Sequence, residues 1–359
     1  MNCFCNDQSS SMSDTARLRA LRVSVLFLVM LICGLVSVPA SAKVIIKLGT
    51  IAPEGSAWHD ALLRVRQQWH DESDGGVELR IYAGGVLGGE TEMVRKMQRR
   101  GLDAVAISGA GLPQIDSSID CLNMPLLFES YEELDYVRSA IQGDLEKQLM
   151  ARQVKILNWA EAGWVYFFAK QPVRTPDDLK NLRLWTAAGH PESERLFKYF
   201  GFRVVPLDET DMLTALRTGL IEAIDVPPLF ALLDRSYQTA NYMTDLRWAP
   251  LNAATVIHLE AWERIPEKFR PLLINAVHSI GERLREQIRK SEEDAIREMQ
   301  TRGLQIVKLD KRASELWRTG VNEAYPLLQC AKQHPQLFAK IMRLHEQYKS
   351  SGQTEHSGQ

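Results

Sequence analysis

The chain has 359 residues, of which 45% are hydrophobic, 25% charged and 8% aromatic, and this globular usage excludes a disordered, collagen-like or low-complexity protein. Its 43 Lys and Arg against 45 Asp and Glu leave a net charge of −2. No global basic field is therefore available to hold nucleic acid or an anionic membrane, and any charge on a ligand has to be met locally.

Residues 1–42 read as a secretory signal peptide. Arg17, Arg19 and Arg22 precede the apolar run Val23 to Val38, and Ala40-Ser41-Ala42 has the small-x-small pattern of a cleavage site. The run is short for a membrane span of about 20 residues; an uncleaved anchor is the alternative. A lipidated Cys33 is disfavoured because Met30-Leu31-Ile32 lacks a small residue just before it, and Met12 serves as well as Met1 for a start. Without the leader, 40 basic residues face 43 acidic ones, and only Cys121 and Cys330 enter the oxidising compartment beyond the membrane. Whether they pair is open, since a separation of 209 residues says nothing about distance in space.

The β-branched run Val44 to Thr50, a helical spacing through Trp58, Leu62, Val65 and Trp69, and the alternating Val77 to Tyr82 make a βαβ unit. The pattern continues with a helix from about Gly89 to Arg100, a buried strand Leu102 to Ile107, an amphipathic helix from Tyr131 to Met150 and a strand Val154 to Trp159. A second α/β block follows, with strands near Trp164 to Ala169, Arg183 to Thr186, Arg203 to Pro206 and Ala223 to Val226, and helices near Pro191 to Phe200 and Asp208 to Thr218. The strand Asn252 to Leu259 is expected to return the chain to the first block. Two such crossings make a hinge, and no Ser/Gly linker separates the blocks, so they read as interleaved lobes. From Glu267 to Thr301, Leu273, Val277, Ile280, Leu284 and Ile288 recur at helical spacing, which predicts a helix of roughly 50 Å that crosses both lobes. A coiled-coil dimer is the alternative use of that stripe.

No catalytic or metal constellation stands out. His59, His70, His190, His258, His278, His334, His345 and His356 form no H-E-x-x-H, Gly109-Ala110-Gly111 lacks the third Gly of a dinucleotide fingerprint, and Ser108 lacks the preceding Gly of a nucleophile elbow. The informative positions are strand ends, where open α/β sheets bind ligands. In Leu182-Arg183-Leu184-Trp185 the period of two puts the leucines on one face and Arg183 and Trp185 on the other. A solvated Arg and a core Trp are the plain alternatives for that second face.

Several motifs in order resemble the periplasmic substrate-binding proteins of tripartite ATP-independent (TRAP) transporters, the DctP family. They are Ile81 to Glu90, Met97 to Ala104, Met124-Pro125-Leu126-Leu127-Phe128, Pro176 to Trp185, then Pro206, Ala215-Leu216, Gly219 and Pro227, and finally Trp262 to Glu267. The resemblance implies an α/β, two-lobed clam-shell of the class II periplasmic-binding-protein type, with hinge strands and a long C-terminal helix across both lobes. The expected division is a first lobe of residues 43–160 and 252–291, a second of 161–251 and 292–320, and a C-terminal helical segment with a frayed tail over 321–359.

The departures from the family pattern bear on the ligand. Asn181 replaces Gly, Arg183 sits at the Lys position, and Trp185 falls where most relatives carry the Arg that clamps a substrate carboxylate. Where many relatives have a second Arg, this chain has Gly163-Trp164-Val165-Tyr166, and Val226 replaces a polar residue before Pro227. These changes predict a hydrophobic cleft for a largely apolar, lipid-like small molecule, stacked on Trp185 and Trp164 beside Tyr166 and enclosed as the lobes rotate. By topology Glu54 and Trp58, Ser108 and Gly109, and Asp225, Val226 and Pro227 are further binding candidates. No cofactor, metal or nucleic acid is expected. The expected partners are the TRAP membrane permease and, with an apolar ligand, a periplasmic helical-repeat protein. Alternatives are a TRAP or ABC-type binding protein for an organic acid held by Arg183, or a periplasmic enzyme on the same clam-shell.

Overall fold

In the computed structural model, residues 43–356 are described; the expected signal peptide and the last residues of the expected tail lie outside them. The first block contains β1 (Val44–Thr50), α1 (Ala57–Glu72), β2 (Val77–Tyr82), α2 (Glu90–Gln98), β3 (Ala104–Ser108) and α3 (Tyr131–Ala151), leading into β4 (Val154–Ala169). The second contains α4 (Pro176–Lys180), β5 (Arg183–Ala187), α5 (Pro191–Tyr199), β6 (Arg203–Leu207), α6 (Glu209–Thr218), β7 (Ala223–Val226), α7 (Pro228–Asp234) and β8 (Tyr242–Thr244). Then follow β9 (Ala249–His258), α8 (Leu259–Glu263), α9 (Arg270–Thr301), β10 (Gln305–Val307), α10 (Lys311–Ala324), α11 (Gln329–Gln333) and α12 (Pro335–His356).

The strands run in the order β2-β1-β3-β9-β4-β7-β5-β6, with β8 joining β4 to β10. At each end of that order the strands are parallel and joined by helices, and in the middle β9 lies antiparallel to both β3 and β4. Two strands expected near 154–159 and 164–169 are one continuous strand of 16 residues. Its first part pairs with β9 and its last four residues, Tyr166 to Ala169, pair with β7, so β4 itself is the outward crossing of the hinge and β9 the return. Two register shifts, between Ile156 and Asn158 and between Glu161 and Gly163, bend β4 at the crossing. Gly163 takes φ 106° at the second shift, a conformation that side-chain-bearing residues rarely adopt.

The long helix begins at Arg270, with Pro271 in its first turn and a separate 3₁₀ turn over Glu267–Phe269 before it. Its 32 residues span about 48 Å. Leu273, Ala276, Val277 and Ile280 enter the core formed with α1, β1 and β2, while Met299 enters the larger core that holds Phe167, Trp248 and Trp317. Trp69 Nε1 donates to the Leu273 carbonyl at 3.0 Å, tying α1 to the start of α9. The apolar stripe is thus spent within the chain, and the coiled-coil alternative loses its basis. Cys121 and Cys330 form a disulfide that joins the 3₁₀ turn Ser117–Leu122 to α11. Beyond it α12 packs on α3, with Lys340 Nζ 2.9 Å from Asp144 and His345 Nδ1 2.5 Å from Glu133.

Candidate ligand-binding cleft

Parallel strands deliver their carboxyl ends, and the turns that follow them, to one edge of a sheet. Here the ends of β1, β3, β5 and β7 meet the hinge strands around a cavity of about 250 Å³. Thr50 to Pro53, Trp58 and Ser108 to Ala110 line it from the first lobe, Trp185, Ala187, Asp225 to Pro227 and Phe230 from the second, and Val165 and Ala253 from the hinge. Among the described residues that line it there is no Lys and no Arg.

Seven of the eleven expected site residues line this cavity: Trp185, Trp58, Ser108, Gly109, Asp225, Val226 and Pro227. Trp185 is 7% exposed, and its indole is fixed by a 3.1 Å hydrogen bond from Nε1 to the Leu207 carbonyl. Trp58 Nε1 donates to the Glu161 carbonyl at 3.2 Å, so the first strand-to-helix turn is tied to the hinge.

Four expectations are corrected. Trp164 is 0% exposed and lies off the cavity, packed against Tyr131 at 5.6 Å. Tyr166 is buried beside it, donating from its hydroxyl to Glu292 Oε1 at 3.0 Å. On β4 it is Val165 that faces the cavity, and a strand's alternation turns its two neighbours to the opposite side. Arg183 also lies outside: its guanidinium donates to the Gly219 and Leu220 carbonyls at 2.8 and 2.9 Å and pairs with Glu222 at 3.2 Å. Two residues before Trp185, it is about 7 Å back along the strand from the sheet's carboxyl edge. Glu54 is exposed, because the turn at Gly55, φ 75°, carries it away from the lining formed by Ala52 and Pro53.

The sequence reading missed the polar groups that join the lobes. His190, just after β5, places Nε2 3.0 Å from Asp120 Oδ1, and Ser193 Oγ lies 2.6 Å from His190 Nδ1. Burial alone pushes the imidazole down, but the carboxylates of Asp120, Glu192 and Asp225 outweigh it and hold the ring above its usual value. Glu90 receives the Ser108 backbone NH and hydroxyl, both at 2.9 Å, while its own NH donates to Glu209 Oε2 at 3.3 Å. Burial first, and the Glu209 carboxylate second, push the Glu90 carboxyl well up. Asp225 is raised by burial to about 8, against the pull of His190. Thr91 Oγ1 donates to the Ala188 carbonyl at 3.0 Å, a further contact between lips of the cleft. The lobes therefore touch across the cleft, and the cavity is lined by carboxyls, one imidazole, Asn amides, Ser and Thr hydroxyls and apolar walls. Among the described residues no group of three or more His, Cys, Asp or Glu is placed to hold a metal ion, and no helix is long and apolar enough to cross a membrane.

Comparison with known proteins places this architecture. The profile of the bacterial extracellular solute-binding proteins, family 7, known as DctP, matches residues 48–331. The chain belongs to that family. Within the DctP family, the chain is 21% identical to the 2,3-diketo-L-gulonate-binding periplasmic protein YiaO of Escherichia coli K12, over 75% of this chain and 82% of YiaO. It resembles a TRAP periplasmic solute-binding protein from Haemophilus influenzae solved with bound L-gulonate, at TM-score 0.78 and 20% identity, over 85% of this chain and 99% of the other. A TRAP protein from Ralstonia eutropha H16, solved with bound (S)-2-acetolactate, matches at TM-score 0.79 and 18% identity over 84% and 99%. These likenesses establish the two-lobed α/β fold, and the family match makes the chain a bacterial extracellular solute-binding protein of the DctP family.

Proposed function

We propose that the protein is a periplasmic carrier which captures a small molecule with a largely apolar body in the closed cleft and presents it to a TRAP permease. The observation that carries the ligand class is the lining: Trp185, Val226, Pro227 and Phe230 face the cavity, and among the described residues no Lys or Arg does. An organic anion needs a charge-assisted partner when it leaves water, and the family resemblance implies that the Trp185 indole stands where relatives carry a guanidinium. Burying about 100 Å² of ligand against that ring contributes roughly 2.5 kcal/mol. No catalytic role is proposed for any residue.

An organic acid is the second reading, and the relatives favour it: YiaO is named for a diketo sugar acid, and the two solved proteins hold L-gulonate and (S)-2-acetolactate. Arg183 is spent on Glu222 and two carbonyls, so the groups left for a carboxylate are His190 and the raised carboxyls of Glu90 and Asp225. Native mass spectrometry of protein purified from its own periplasm decides between them. The apolar reading expects a hydrophobic molecule to copurify; a sugar-acid mass, with L-gulonate binding by calorimetry, rejects it in favour of the second.

A further inference from the structure

The titratable groups that line the cleft are divided between the lobes. Glu90 and Asp120 come from the first, His190, Glu192, Glu209 and Asp225 from the second, and no Lys or Arg joins them among the described residues. Five carboxyls thus share the cleft with one imidazole. Among the described residues only Glu192 of the five has a guanidinium at hand, that of Arg195 at 2.6 Å on its own helix.

Two contacts cross between the lobes at these groups. In the first, His190 Nε2 lies 3.0 Å from Asp120 Oδ1, while Ser193 Oγ, 2.6 Å from Nδ1, occupies the other ring nitrogen. A proton on the ring turns this hydrogen bond into an ion pair, and both side chains are buried enough for water to screen it little. The other charges that face the ring, on Glu192, Glu209 and Asp225, are all negative. The second contact has the opposite character. Glu209, at the start of α6, meets the start of α2, where it accepts the Glu90 NH at 3.3 Å and sits so close to Gly89 that a Cβ there would come within 2.4 Å of its Oε2. Glu90 is buried, with its own carboxyl held by the Ser108 NH and hydroxyl, and Asp208 adds a further carboxylate beside Glu209. Two carboxylates brought together away from water do not both stay ionised, so this contact is favourable once one of them holds a proton.

We propose that the cleft shuts with the uptake of protons, so that the lobes hold together at mildly acid pH and part as pH rises past neutral. This rests on the carrier reading above, in which the lobes open and shut, and on neither class of ligand. Parting the lobes returns these groups towards water, where carboxyls ionise at about pH 4 and imidazole loses its proton at about 6.5. Together, burial and Glu209 raise Glu90, while Asp120, Glu192 and Asp225 raise His190 against its burial, and both shifts run in the direction that proton uptake requires. A closure that takes up one proton changes the ratio of closed to open molecules by about tenfold per pH unit.

The test is the distance between spin labels on Val86→Cys in the first lobe and Leu220→Cys in the second, two exposed positions, in protein freed of copurified ligand. Cys121 and Cys330 are tied in their buried disulfide and take no label. Double electron-electron resonance from about pH 6 to 8.5 should show a short distance that gives way to a longer one. Glu209→Gln removes the like charge and keeps an oxygen for the Glu90 NH, so the short distance should persist to higher pH. Asp120→Asn takes the charged partner from the imidazole, so the longer distance should appear at lower pH. The series without either substitution stands whether or not those variants fold. If its distribution is unchanged over this range, or shortens as pH rises, the proton coupling is overturned, and the carrier reading is left to the mass spectrometry above. Variants that shift in the same direction, or not at all, overturn the assignment to these two contacts.

Discussion

Arg289 grips Glu161 with two parallel hydrogen bonds, Nη2 to Oε1 at 2.6 Å and Nε to Oε2 at 2.9 Å, joining the long helix to the strand on which the hinge bends. Arg138 of α3 reaches the same carboxylate at 3.0 Å, and Asp135 accepts from Arg289 at 2.7 and 2.9 Å. Glu161 and Arg138 are almost wholly buried. Arg138, Arg285 and Arg289 are balanced here by Glu161 and Asp135 alone, so removing the Glu161 charge leaves three guanidiniums facing one carboxylate.

Glu161→Gln is therefore expected to cost about 3–5 kcal/mol of stability. Arg289→Met should cost less, because Arg138 still neutralises Glu161. Urea unfolding of both variants checks the order; a Glu161→Gln loss below 1 kcal/mol would show the network to be unimportant.

The parallel strands and the long helix were legible because each is carried by local periodicity, and the family because its motifs follow one another in order from Ile81 to Glu267. Trp185 and Asp225 to Pro227 were legible for a related reason, since strand carboxyl ends mark a cleft in this kind of fold. Trp164 and Tyr166 were misplaced because they were chosen from the stretch where relatives carry a second Arg, and within that stretch the path of β4 turns Val165, and not its two neighbours, to the cavity. Arg183 was misplaced because Glu222 lies 39 residues on in the chain and meets it only through the pairing of β5 with β7. Asp120 and His190, on opposite lobes, leave no spacing signal, and the disulfide has none either.

Trp185 tests the ligand class. Trp185→Ala should weaken an apolar ligand by somewhat under a hundredfold, the equivalent of about 2.5 kcal/mol, and should also lower stability, because the indole is only 7% exposed and its bond to the Leu207 carbonyl is lost. Trp185→Arg should weaken the same ligand and give the cleft measurable affinity for L-gulonate. Titration calorimetry reads both, and an unchanged affinity in Trp185→Ala would remove the indole from the site.

The disulfide closes a loop with a sequence separation of 209 and is fully buried at both sulfurs' residues. It restricts the unfolded chain and fastens the turn that carries Asp120. Replacing Cys121 and Cys330 by Ser should cost about 2–5 kcal/mol. Mild reductant on the folded protein should have no effect, because the bond becomes accessible only on unfolding. Thiol labelling with and without urea distinguishes these states.

The cleft also predicts how stability varies with pH. Asp225 rises from the ordinary carboxylate range to about 8 on burial, so between roughly pH 4 and 8 the folded protein holds a proton that the unfolded chain has released. Stability from this group is complete below pH 4 and is lost steadily up to pH 8. His190 acts in the same direction: its raised imidazole contributes fully below the ordinary histidine value, about 6.5, and the contribution fades as pH passes its folded value. Glu90, raised by burial and by Glu209, adds the same sign. Carboxylates held low by cations, such as Asp135, have already given their full contribution by pH 5. The protein should therefore be more stable at pH 6 than at pH 8.5, and Asp225→Asn should flatten the slope between them. Urea midpoints across that range provide the measurement; a slope that is unchanged in Asp225→Asn, or stability that rises with pH, would mean that the Asp225 carboxyl is ionised inside the closed cleft.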